Sequence, residues 1–562
     1  MTVRILLVTD ADDVRRWHRS IDEELRTVAA VRTVGLRMET VPTERRPDPW
    51  SVLPARALPR AVPDLRAAAR PSWPALSPSD LADFGPASTD LVIDLTVGRR
   101  ATPPPGVPVW SLVTMDGRAF PQGFPFLEEA YRAGSVATIV LAERRGPGEA
   151  DGIVDSITLS PTRRSYAAFL REALRLSRSM LTARSAGRPA SAASSPRRAP
   201  PAPAGRRREP GAAALLRFLA RGLVDHVWHR HKDKLLMEEW RIGYLDRPIG
   251  STLARTGMAD ARWLDIGRPG GYAADPFGLP GADDRLYCEV YSWATGRGVI
   301  REMAVSGDSG ALGALQDFGC DAHMSYPCLF EEGGELYCVP EQLEARAVTL
   351  FRHDRAAGRW RRFATPLTGT RAADPAFFVF GGRYWIAYTD VDIDGYNNLC
   401  LLHAESLAGP WRRHDRLPVK IDVRSARSAG TPFWHDGALY RPAQDCSLTY
   451  GGAIALNRIR VCTPDAYEEE VATVLRPDPA GPARHGLHTL SRWGGRTLID
   501  GKQYAFSLPV LGRKVMRKLS GRLARPVPAA AAAAAAEKGN GSGIGGAGEG
   551  PAPQAFSERG GA

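Results

Sequence analysis

The first 183 residues alternate between short apolar runs and longer segments whose apolar positions have helical spacing. The apolar runs are RILLVTD, DLVIDLTVG, VPVWSLV, ATIVLAE and GIVDSITL, and the helix-like segments include VRRWHRSIDEELRTV and SYAAFLREALRLSRSML. Strand-like runs that alternate with helices are typical of α/β domains with a largely parallel sheet. We therefore predict an α/β domain over residues 1–183.

A different pattern, with a period of about 50 residues, extends over residues 240–510. Its five units are DPFGLPGADDRLYCEVY, YPCLFEEGGELYCVPE, DPAFFVFGGRYWIAYTD, TPFWHDGALYRPAQD and HTLSRWGGRTLIDGK. Each unit has an apolar strand, a Gly or Asp turn and a second strand, in which the matching residues are Tyr287, Tyr337, Trp385, Tyr440 and Leu498. Such repeats are typical of β-propeller blades, which bury their faces only against neighbouring blades. We predict a five-bladed β-propeller, with the strand-like WRIGYL at Trp240 completing the last blade.

Three further segments separate or follow these regions. Residues 184–212 are rich in Pro, Ala, Ser and Arg, and we predict a disordered linker because they have little to bury. Residues 213–239 place leucines and a valine between Leu215 and Val227 at helical spacing, which predicts an amphipathic helix. Residues 511–562 combine a basic segment with an Ala-rich and Gly-rich low-complexity tail.

The composition is that of an ordinary globular chain, with 44% hydrophobic and 24% charged residues among 562. No apolar run reaches the roughly 18 residues of a membrane span. The start, MTVRILLVTDADD, is interpreted as a first strand and not as a secretory signal, so we expect a cytoplasmic protein. The seven cysteines include no C-x-x-C pair, and we expect no disulfide framework, no metal and no cofactor.

The formal net charge of +12 is concentrated in the connecting segments. Seven arginines and no acidic residue lie in residues 184–208, and six lysines or arginines and no acidic residue lie in residues 513–525. The rest of the chain is therefore nearly neutral. A solvated run of charge does not by itself indicate nucleic-acid recognition, and we expect no specific nucleic-acid partner. The segment 513–525 is predicted to make a weak contact with an anionic membrane surface.

Acidic residues recur at similar places in the repeat units. Asp275 and Asp374 lie in two Ala-Ala-Asp-Pro sequences, and Glu289, Glu341, Asp390, Asp445 and Asp500 follow the matching position of the second strand. In a propeller, one carboxylate from each blade directed towards the axis makes a polar pocket bordered by aromatic rings. Such a pocket suits a sugar, because hydroxyl groups bond to carboxylates and C–H faces stack on aromatic rings. We therefore predict that the protein binds a glycan or a sugar-containing small molecule.

Hydrolysis of a glycosidic bond needs two carboxyl groups that flank the scissile bond. Asp275 and Glu341 are the predicted base and acid, and Asp374 is predicted to tune a partner through like-charge repulsion. The alternative is that Asp-Pro opens a turn in which the Asp side chain bonds nearby backbone amides. The predicted substrate-binding residues are Glu289, His323, Tyr326, Arg427, Arg441, Gln444, Asp445, His488 and Asp500.

Several motifs of the repeat region resemble one family. YAADPFG, HMSYPCLFEEGGELYCVPE, RAADPAFF, AGPWRRH and LYRPAQDCSLTYG are similar to the N-terminal domain of plant glucosamine inositolphosphorylceramide transferase and its bacterial relatives, over residues 240–505. That domain resembles the five-bladed propellers of the arabinanase and fructosidase type. The resemblance implies a base at Asp275 and a tuning carboxylate at Asp374. For the acid it implies Glu341 or Asp445, or else a propeller that binds sugar without cleaving it.

The N-terminal region resembles the formyltransferase fold in the sequences TDLVIDL, PVWSLVTMDG, PQGFPFLEEA and SPTRRS. Active formyltransferases use an Asn, a His and an Asp to polarise the formyl carbonyl and transfer the proton. Here no His lies between His18 and His226. The resemblance therefore implies a formyltransferase-like domain that is non-catalytic and that binds or docks a partner.

These features support two functional hypotheses. In the first, the propeller binds and processes a glycan or activated sugar in polysaccharide or glycolipid assembly. In the second, it is a non-catalytic sugar-binding scaffold whose α/β domain docks a partner. Both share one multidomain fold, an N-terminal α/β domain of the formyltransferase or Rossmann-like type followed by an all-β five-bladed propeller.

Overall fold

The computed structural model describes most of the repeat region and separate stretches of the N-terminal region. The described residues are 3–10, 15–28, 31–38, 75–76, 86–96, 106–115, 117–120, 126, 129, 136–144, 152–161, 166–186, 197–198, 220, 236–267 and 270–506. Most of the predicted linker 184–212, most of the predicted helix 213–239 and the entire segment 511–562 lie outside them. The predictions for those segments stay predictions.

Four of the five repeat units form separate antiparallel sheets of four strands each. The first unit comprises β11 (Gly271–Gly278), β12 (Arg285–Ser292), β13 (Arg297–Ser306) and β14 (Ser309–Leu315). The second comprises β15 (Ser325–Glu332), β16 (Glu335–Glu341), β17 (Ala347–Asp354) and β18 (Arg359–Thr368). The fourth comprises β24 (Phe433–His435), β25 (Ala438–Asp445), β26 (Ala453–Cys462) and β27 (Tyr467–Leu475). The fifth combines β28 (Gly486–Trp493) and β29 (Arg496–Phe506) with β9 (Leu236–Leu245) and β10 (Arg262–Trp263).

The pairing of β9 with β29 joins the beginning of the repeat region to its end. Trp240 pairs with Lys502 in an antiparallel register that continues along both strands. The prediction that WRIGYL completes the last unit is therefore confirmed. Because β9 already begins at Leu236, the C-terminal end of the predicted helix 213–239 is wrong, since pairing with β29 outweighs local helical spacing there. A short 3-10 helix, Ile249–Ala254, follows β9.

In the N-terminal region, the described residues form a mixed sheet with two helices. Its elements are β1 (Val3–Asp10), α1 (Arg16–Arg26), β2 (Val31–Met38), β3 (Ala75–Leu76), β4 (Leu91–Asp94), β5 (Val109–Thr114), β6 (Ala137–Arg144), β7 (Gly152–Leu159), α2 (Tyr166–Ala186) and β8 (Arg197–Arg198). Pairing is parallel through β5-β4-β1-β2-β3 and antiparallel through β5-β6-β7-β8. Trp17 of α1 and Leu170 of α2 pack in one core with Ile5 and Ile93 of the sheet. No helix in the described segments combines the length and apolarity needed to cross a membrane.

The third unit is joined to this N-terminal sheet. It consists of β19 (Ala372–Phe380), β20 (Arg383–Asp390), β21 (Asn398–Ala404) and β22 (Arg412–Arg413). The next strand, β23 (Lys420–Asp422), pairs with β21 on one side and with β7 on the other, and a thirteen-stranded sheet results. The described chain thus has a propeller-like arrangement with four separate sheets where five separate blades are predicted, because Ile421 also pairs with Ile157.

The first strands of three units share a bulge with a left-handed residue that positions the site, and the first strand of the fifth unit has a register shift at the same place, between Leu487 and Leu490. The pairing register shifts between Ala274 and Phe277, between Ser325 and Cys328, and between Ala373 and Ala376. The residues inside these bulges, Asp275, Tyr326 and Asp374, have φ angles of 51°, 48° and 47°, and each precedes a proline. Left-handed backbone is strained in residues other than glycine, and such strain and bulges are both common beside functional sites, where they redirect side chains.

The bulges also change which residues of the repeat are equivalent. Counted from the bulge, Tyr287 of the first unit corresponds to Val339 of the second, and not to Tyr337 as the sequence spacing predicts. The true counterparts include Glu289 and Glu341, each of which pairs with the residue directly before its bulge. The two glutamates therefore enter the centre of the molecule from the same place in neighbouring units.

Candidate functional site

Ionisable and polar side chains from every repeat unit converge beside the bulges. Asp275, Glu289, Glu341, Asp374, Arg427, Gln444, His488 and Asp500 are all buried, with at most 9% of each residue exposed. Burying an ionised group is unfavourable unless it is paired and hydrogen-bonded. The contacts of each group therefore show which carboxyls are held by the fold and which remain available.

The first set of contacts joins Asp275, His488 and Asp500. His488 Nε2 lies 3.2 Å from Asp275 Oδ1, and His488 Nδ1 lies 2.8 Å from Asp500 Oδ1. The Thr489 hydroxyl donates to Asp275 Oδ1 at 2.8 Å. The ring of Trp240 lies against His488 with the centroids 4.0 Å apart. His488 therefore bridges two carboxylates from a fixed position.

Burial and charge act differently on the groups of this set. Burial lowers the pKa of His488, but the Asp500 and Asp275 carboxylates outweigh it and raise this pKa to about 9. Burial raises the pKa of Asp275 to about 6, against the opposing effect of His488. At pH 7, His488 is therefore protonated and Asp275 is mostly ionised.

A second set of contacts holds Asp374 and Glu341. Arg427 Nε donates to Asp374 Oδ2 at 2.6 Å, and Gln444 Nε2 donates to the same oxygen at 2.7 Å. Glu341 Oε2 accepts the backbone amide of Asp374 at 2.9 Å, and the Ser325 hydroxyl donates to Oε1 at 3.1 Å. Burial and, after it, the charge of Asp374 raise the pKa of Glu341 to about 8. Glu341 therefore holds a proton at pH 7.

Glu289 and His323 form a third set in the first and second units. Glu289 is 5% exposed, and its Oε1 lies 3.8 Å from Nε2 of His323. His323 Nδ1 accepts the backbone amide of Gly298 at 2.8 Å, so the neutral imidazole carries its proton on Nε2. Burial, followed by the charges of Asp275 and Glu341, raises the pKa of Glu289 well above its usual range. Glu289 is thus a buried carboxyl group whose surroundings favour its protonated form, and it faces His323.

Asp275, His488 and Asp500 also offer three ligand atoms that lie within 4.8 Å of one another. These atoms are already engaged, because Asp500 Oδ1 also accepts the backbone amides of His488 and Thr489. A protonated histidine has no free lone pair for a metal. The donor set fits a hydrogen-bonded ion cluster better than a metal site.

Half-buried aromatic rings border the carboxyl groups. Tyr272 and Tyr291 are stacked with their centroids 4.9 Å apart, and Trp293 meets Tyr291 edge to face at 5.2 Å. Tyr450 lies below the Arg427 guanidinium, which is 4.9 Å from the ring centroid. Half-buried rings beside hydrogen-bonding carboxyls are the two kinds of group that a sugar site combines.

Three residues predicted to bind substrate have other partners. The Arg441 guanidinium is fully buried and pairs with Glu469 at 2.7 Å, and Asp445 accepts a backbone amide in the turn after β25. The Tyr326 hydroxyl donates to the carbonyl of Gly430 at 3.1 Å, and Tyr326 is fully buried. The structure therefore does not bring Arg441 and Asp445 to the carboxyl cluster. It does bring together Asp275, Glu289, His323, Glu341, Asp374, Arg427, Gln444, His488 and Asp500.

Lys502 is a cluster residue that the sequence analysis missed. Its ammonium group is fully buried and lies 2.7 Å from Glu238 Oε1. The same group lies 5.2 Å from the ring centroid of Trp240 and 5.5 Å from that of Tyr450. The signal was present in the strand sequence IDGK, because side chains two residues apart lie on the same face of a strand. Lys502 therefore shares the inward face of β29 with Asp500.

Part of the repeat region is similar in sequence to known proteins. Residues 251–484 match the family described as glucosamine inositolphosphorylceramide transferase 1, N-terminal. The transferase 1 of Oryza sativa subsp. japonica is 31% identical over 211 residues, which are 36% of this chain and 28% of the relative. That of Arabidopsis thaliana is 31% identical over 218 residues, which are 37% of this chain and 28% of the relative.

A solved structure also aligns with the chain. Zg3597, a family 117 glycoside hydrolase of Zobellia galactanivorans, has 12% sequence identity and a TM-score of 0.31, and it covers 49% of this chain and 92% of its own. The curated relatives are matched over only about 28% of their length. The resemblance predicted from the sequence is confirmed over residues 251–484, which are similar to the N-terminal region of glucosamine inositolphosphorylceramide transferase 1.

Proposed function

We propose that the converging carboxyl groups form a sugar site and that the protein uses it for acid–base chemistry at a glycosidic or activated-sugar bond. The observation that carries this proposal is the convergence of several buried carboxyl groups with different hydrogen-bond partners in one cluster. Burial raises the pKa of Asp275 to about 6 and that of Glu341 to about 8, and it raises the pKa of Glu289 well above its usual range, so the cluster divides into more and less acidic carboxyl groups. Cleavage of a bond to an anomeric carbon needs such a division into one base or nucleophile and one acid.

The ligand class follows from the chemistry of the site. Carboxyls accept hydrogen bonds from sugar hydroxyls, and the rings of Tyr272, Tyr291 and Tyr450 provide faces for C–H groups. The relatives in rice and Arabidopsis are named for the transfer of glucosamine to an inositolphosphorylceramide, which also supports a sugar-containing ligand. We therefore propose a glycan or activated sugar of polysaccharide or glycolipid assembly.

The proposed site depends on a closed ring of blades. We propose that the third unit, β19–β22, is the blade that completes this ring together with the four separate sheets. Trp385 of β20 packs in one cluster with Leu439 and Ile459 of the fourth unit. On the other side, Phe377 of β19 stacks on Phe330 of the second unit with the centroids 3.6 Å apart. Contacts with both neighbours support a blade that is part of the ring although β23 also links it to the N-terminal sheet.

Turnover of simple sugar substrates tests the proposal. The purified chain is incubated with a panel of 4-nitrophenyl glycosides and nucleotide sugars, and products are identified by mass spectrometry. We expect turnover of at least one substrate and a loss of kcat/KM of about 100-fold or more in Asp275→Asn, because general acid–base groups contribute roughly 10²–10⁴-fold. Circular dichroism checks that the variant is folded. Unchanged turnover in both Asp275→Asn and Glu341→Gln would reject the site assignment.

A non-catalytic sugar-binding scaffold is the second candidate. It is favoured by the hydrogen bonds within the cluster, since Glu341 and Asp500 each accept a backbone amide and Asp374 is paired with Arg427. In that case the N-terminal sheet, joined to the third unit at Ile421, would dock a partner. Calorimetry with the same sugars would then detect binding while mass spectrometry detects no product.

A further inference from the structure

Two carboxyl groups of the cluster hold strained residues of the following unit. Glu341 of the second unit accepts the backbone amide of Asp374 at 2.9 Å. Asp500 of the fifth unit accepts the backbone amide of Asp275 at 2.8 Å. Both amides belong to residues with positive φ, so these bonds fix a conformation that is unfavourable on its own. We call Glu341 and Asp500 the latch carboxyls.

Glu289 has the strand position of a latch carboxyl but not its contacts. It is the register counterpart of Glu341, and the bulge residue of the following unit is Tyr326. Among the residues that the structure describes, no donor, the Tyr326 amide included, makes a hydrogen bond to Glu289, and the His323 nitrogen stays 3.8 Å away. Within the part of the chain that the structure describes, this carboxyl group, with 7% of its side chain exposed, therefore has no hydrogen-bond partner.

The surroundings hold this carboxyl in one place. Its Oε1 lies against Gly298 of the adjacent strand, where a Cβ would stand 2.0 Å from that oxygen. The amide of the same Gly298 donates to Nδ1 of His323 and so turns the Nε2–H of His323 towards Glu289. A glycine here therefore makes room for the carboxyl and at the same time orients the histidine.

We propose that Glu289 is the proton donor of the sugar site and that His323 is the residue that positions it. This inference rests on the proposed function. Both oxygens of Glu341 already accept hydrogen bonds, from the Ser325 hydroxyl and the Asp374 amide, whereas those of Glu289 accept none in the described chain. Glu341 then acts as a latch carboxyl and not as the acid.

The reaction balances with the groups that are present. The O–H bond of Glu289 breaks, and its proton passes to the leaving oxygen as the bond between that oxygen and the anomeric carbon breaks with its electron pair. Water or an acceptor hydroxyl bonds to the anomeric carbon and gives its proton to the Asp275 carboxylate. The Nε2–H of His323 then donates to the newly formed Glu289 carboxylate. Proton exchange with solvent restores both groups.

The four acidic side chains near Glu289 all shift its pKa in the same direction. Asp275, Glu341, Asp500 and Asp374 all raise its pKa, in addition to the larger effect of burial. His323 does not oppose them as a cation, because burial lowers its own pKa. These effects favour the protonated form of Glu289, which is the form that a proton donor needs.

The test compares leaving groups in matched variants of the full chain. Glu289→Gln, Glu341→Gln and, as control, Glu331→Gln on the exposed part of β15 are assayed with a 4-nitrophenyl glycoside and the corresponding methyl glycoside. 4-Nitrophenolate leaves without protonation, whereas methoxide needs an acid. We expect Glu289→Gln to lose about 100-fold or more on the methyl glycoside but only a few-fold on the 4-nitrophenyl glycoside. Glu341→Gln should change both substrates by the same factor.

Three outcomes separate this inference from the proposed function. Equal losses on both substrates in Glu289→Gln, or the leaving-group pattern in Glu341→Gln, would overturn the assignment of the acid while the proposed function stands. A wild-type chain that turns over neither substrate would overturn the proposed function itself. Infrared difference spectra then still decide the protonation state, because the band of Glu341 should remain in Glu289→Gln at pH 7 while one protonated carboxyl is lost, and spectra that lose no protonated carboxyl contradict the inference.

His323 is tested through the pH dependence of kcat/KM. Its Nε2–H favours the ionised form of Glu289, so removing it in His323→Phe should raise the pKa of the acid and move the alkaline limb to higher pH. His323→Gln, which keeps an N–H donor, should restore part of the shift. An alkaline limb that stays in place in His323→Phe would show that His323 does not position Glu289.

Discussion

The backbone amide of Asp374 donates to Oε2 of Glu341 at 2.9 Å, and this bond ties a left-handed residue of the third unit to the second unit. Asp500 and Asp275 repeat the relationship between the fifth and first units. In both cases a carboxyl group accepts an amide that the bulge has removed from the strand ladder. The carboxyl cluster therefore links neighbouring repeat units as well as forming a candidate site.

Removing a latch carboxyl should destabilise the protein. Glu341→Ala leaves the buried Asp374 amide without an acceptor, which should cost about 1–3 kcal/mol, whereas Glu341→Gln keeps an amide oxygen and should cost less. Thermal and urea denaturation, followed by circular dichroism, measure the difference. Glu335→Ala, on the exposed start of the same strand, is the control. Equal stability of Glu341→Ala and Glu335→Ala would contradict the latch.

Tyr326 and Gly430 connect the second and fourth units across the ring. The Tyr326 hydroxyl donates to the Gly430 carbonyl and accepts the Gly430 amide. Tyr326→Phe leaves both groups buried and unpaired, and we expect a loss of about 1–3 kcal/mol in the free energy of unfolding. Gly430→Ala should be worse, because Gly430 has a φ of +112° and a Cβ would lie 1.9 Å from the Leu490 carbonyl oxygen. Melting temperatures close to that of the wild type in both variants would contradict this role.

The hairpins of the repeat could be predicted from the sequence because their signals are local. A short apolar strand, a Gly-containing turn and a second strand recur in each unit, and these segments do form hairpins. The predicted equivalence of Tyr287 and Tyr337 is wrong, because directly after the bulge Tyr287 pairs with Phe277 whereas Val339 pairs with Cys328. The sequence analysis also predicted the third unit as a separate blade, which is wrong because Ile421 pairs with Ile157 of the N-terminal sheet. Local sequence signals do not reveal such a contact between distant segments.

The membership of the site could be predicted only in part. Gln444 and Arg441 are three residues apart on β25 and therefore lie on opposite faces, so that Gln444 reaches Asp374 while Arg441 reaches Glu469. Proximity in the sequence does not reveal which of the two faces points inward. The Asp-Pro sequences were the stronger signal, because proline after a left-handed Asp marks the bulge itself.

The stability of the fold should fall as pH rises through the neutral range. The pKa of His488 is raised to about 9 in the folded state, against about 6.5 in an unfolded chain. The contribution of His488 to the free energy of unfolding, about 3 kcal/mol at most, is therefore fully present below pH 6.5 and is lost as the pH rises through 9. Glu341, with a folded pKa of about 8, changes stability in the same direction.

Replacing the histidine tests this dependence. In His488→Asn, the fall of the melting temperature between pH 6.5 and 9 should become flatter than in the wild type. His435→Asn, a change at a half-exposed histidine of β24, should keep the wild-type slope. Identical slopes in His488→Asn and the wild type would show that His488 does not carry the dependence.

Arg441 should matter for stability and not for sugar chemistry. Its guanidinium and the Glu469 carboxylate are both buried, and burial is outweighed by Arg441 and Lys420 so that the pKa of Glu469 is lowered to about 2. Arg441→Met leaves Glu469 with Lys420 as its remaining cation at 2.7 Å, so it should cost about 1–3 kcal/mol, and Arg441→Met combined with Glu469→Gln, which keeps an acceptor for Lys420, should recover part of it. Below the melting temperature, kcat/KM for 4-nitrophenyl glycosides should be unchanged per folded molecule in the double variant. Arg427→Met should instead lower kcat/KM, because it removes the partner of Asp374. A specific loss of turnover in the folded double variant would return Arg441 to the site.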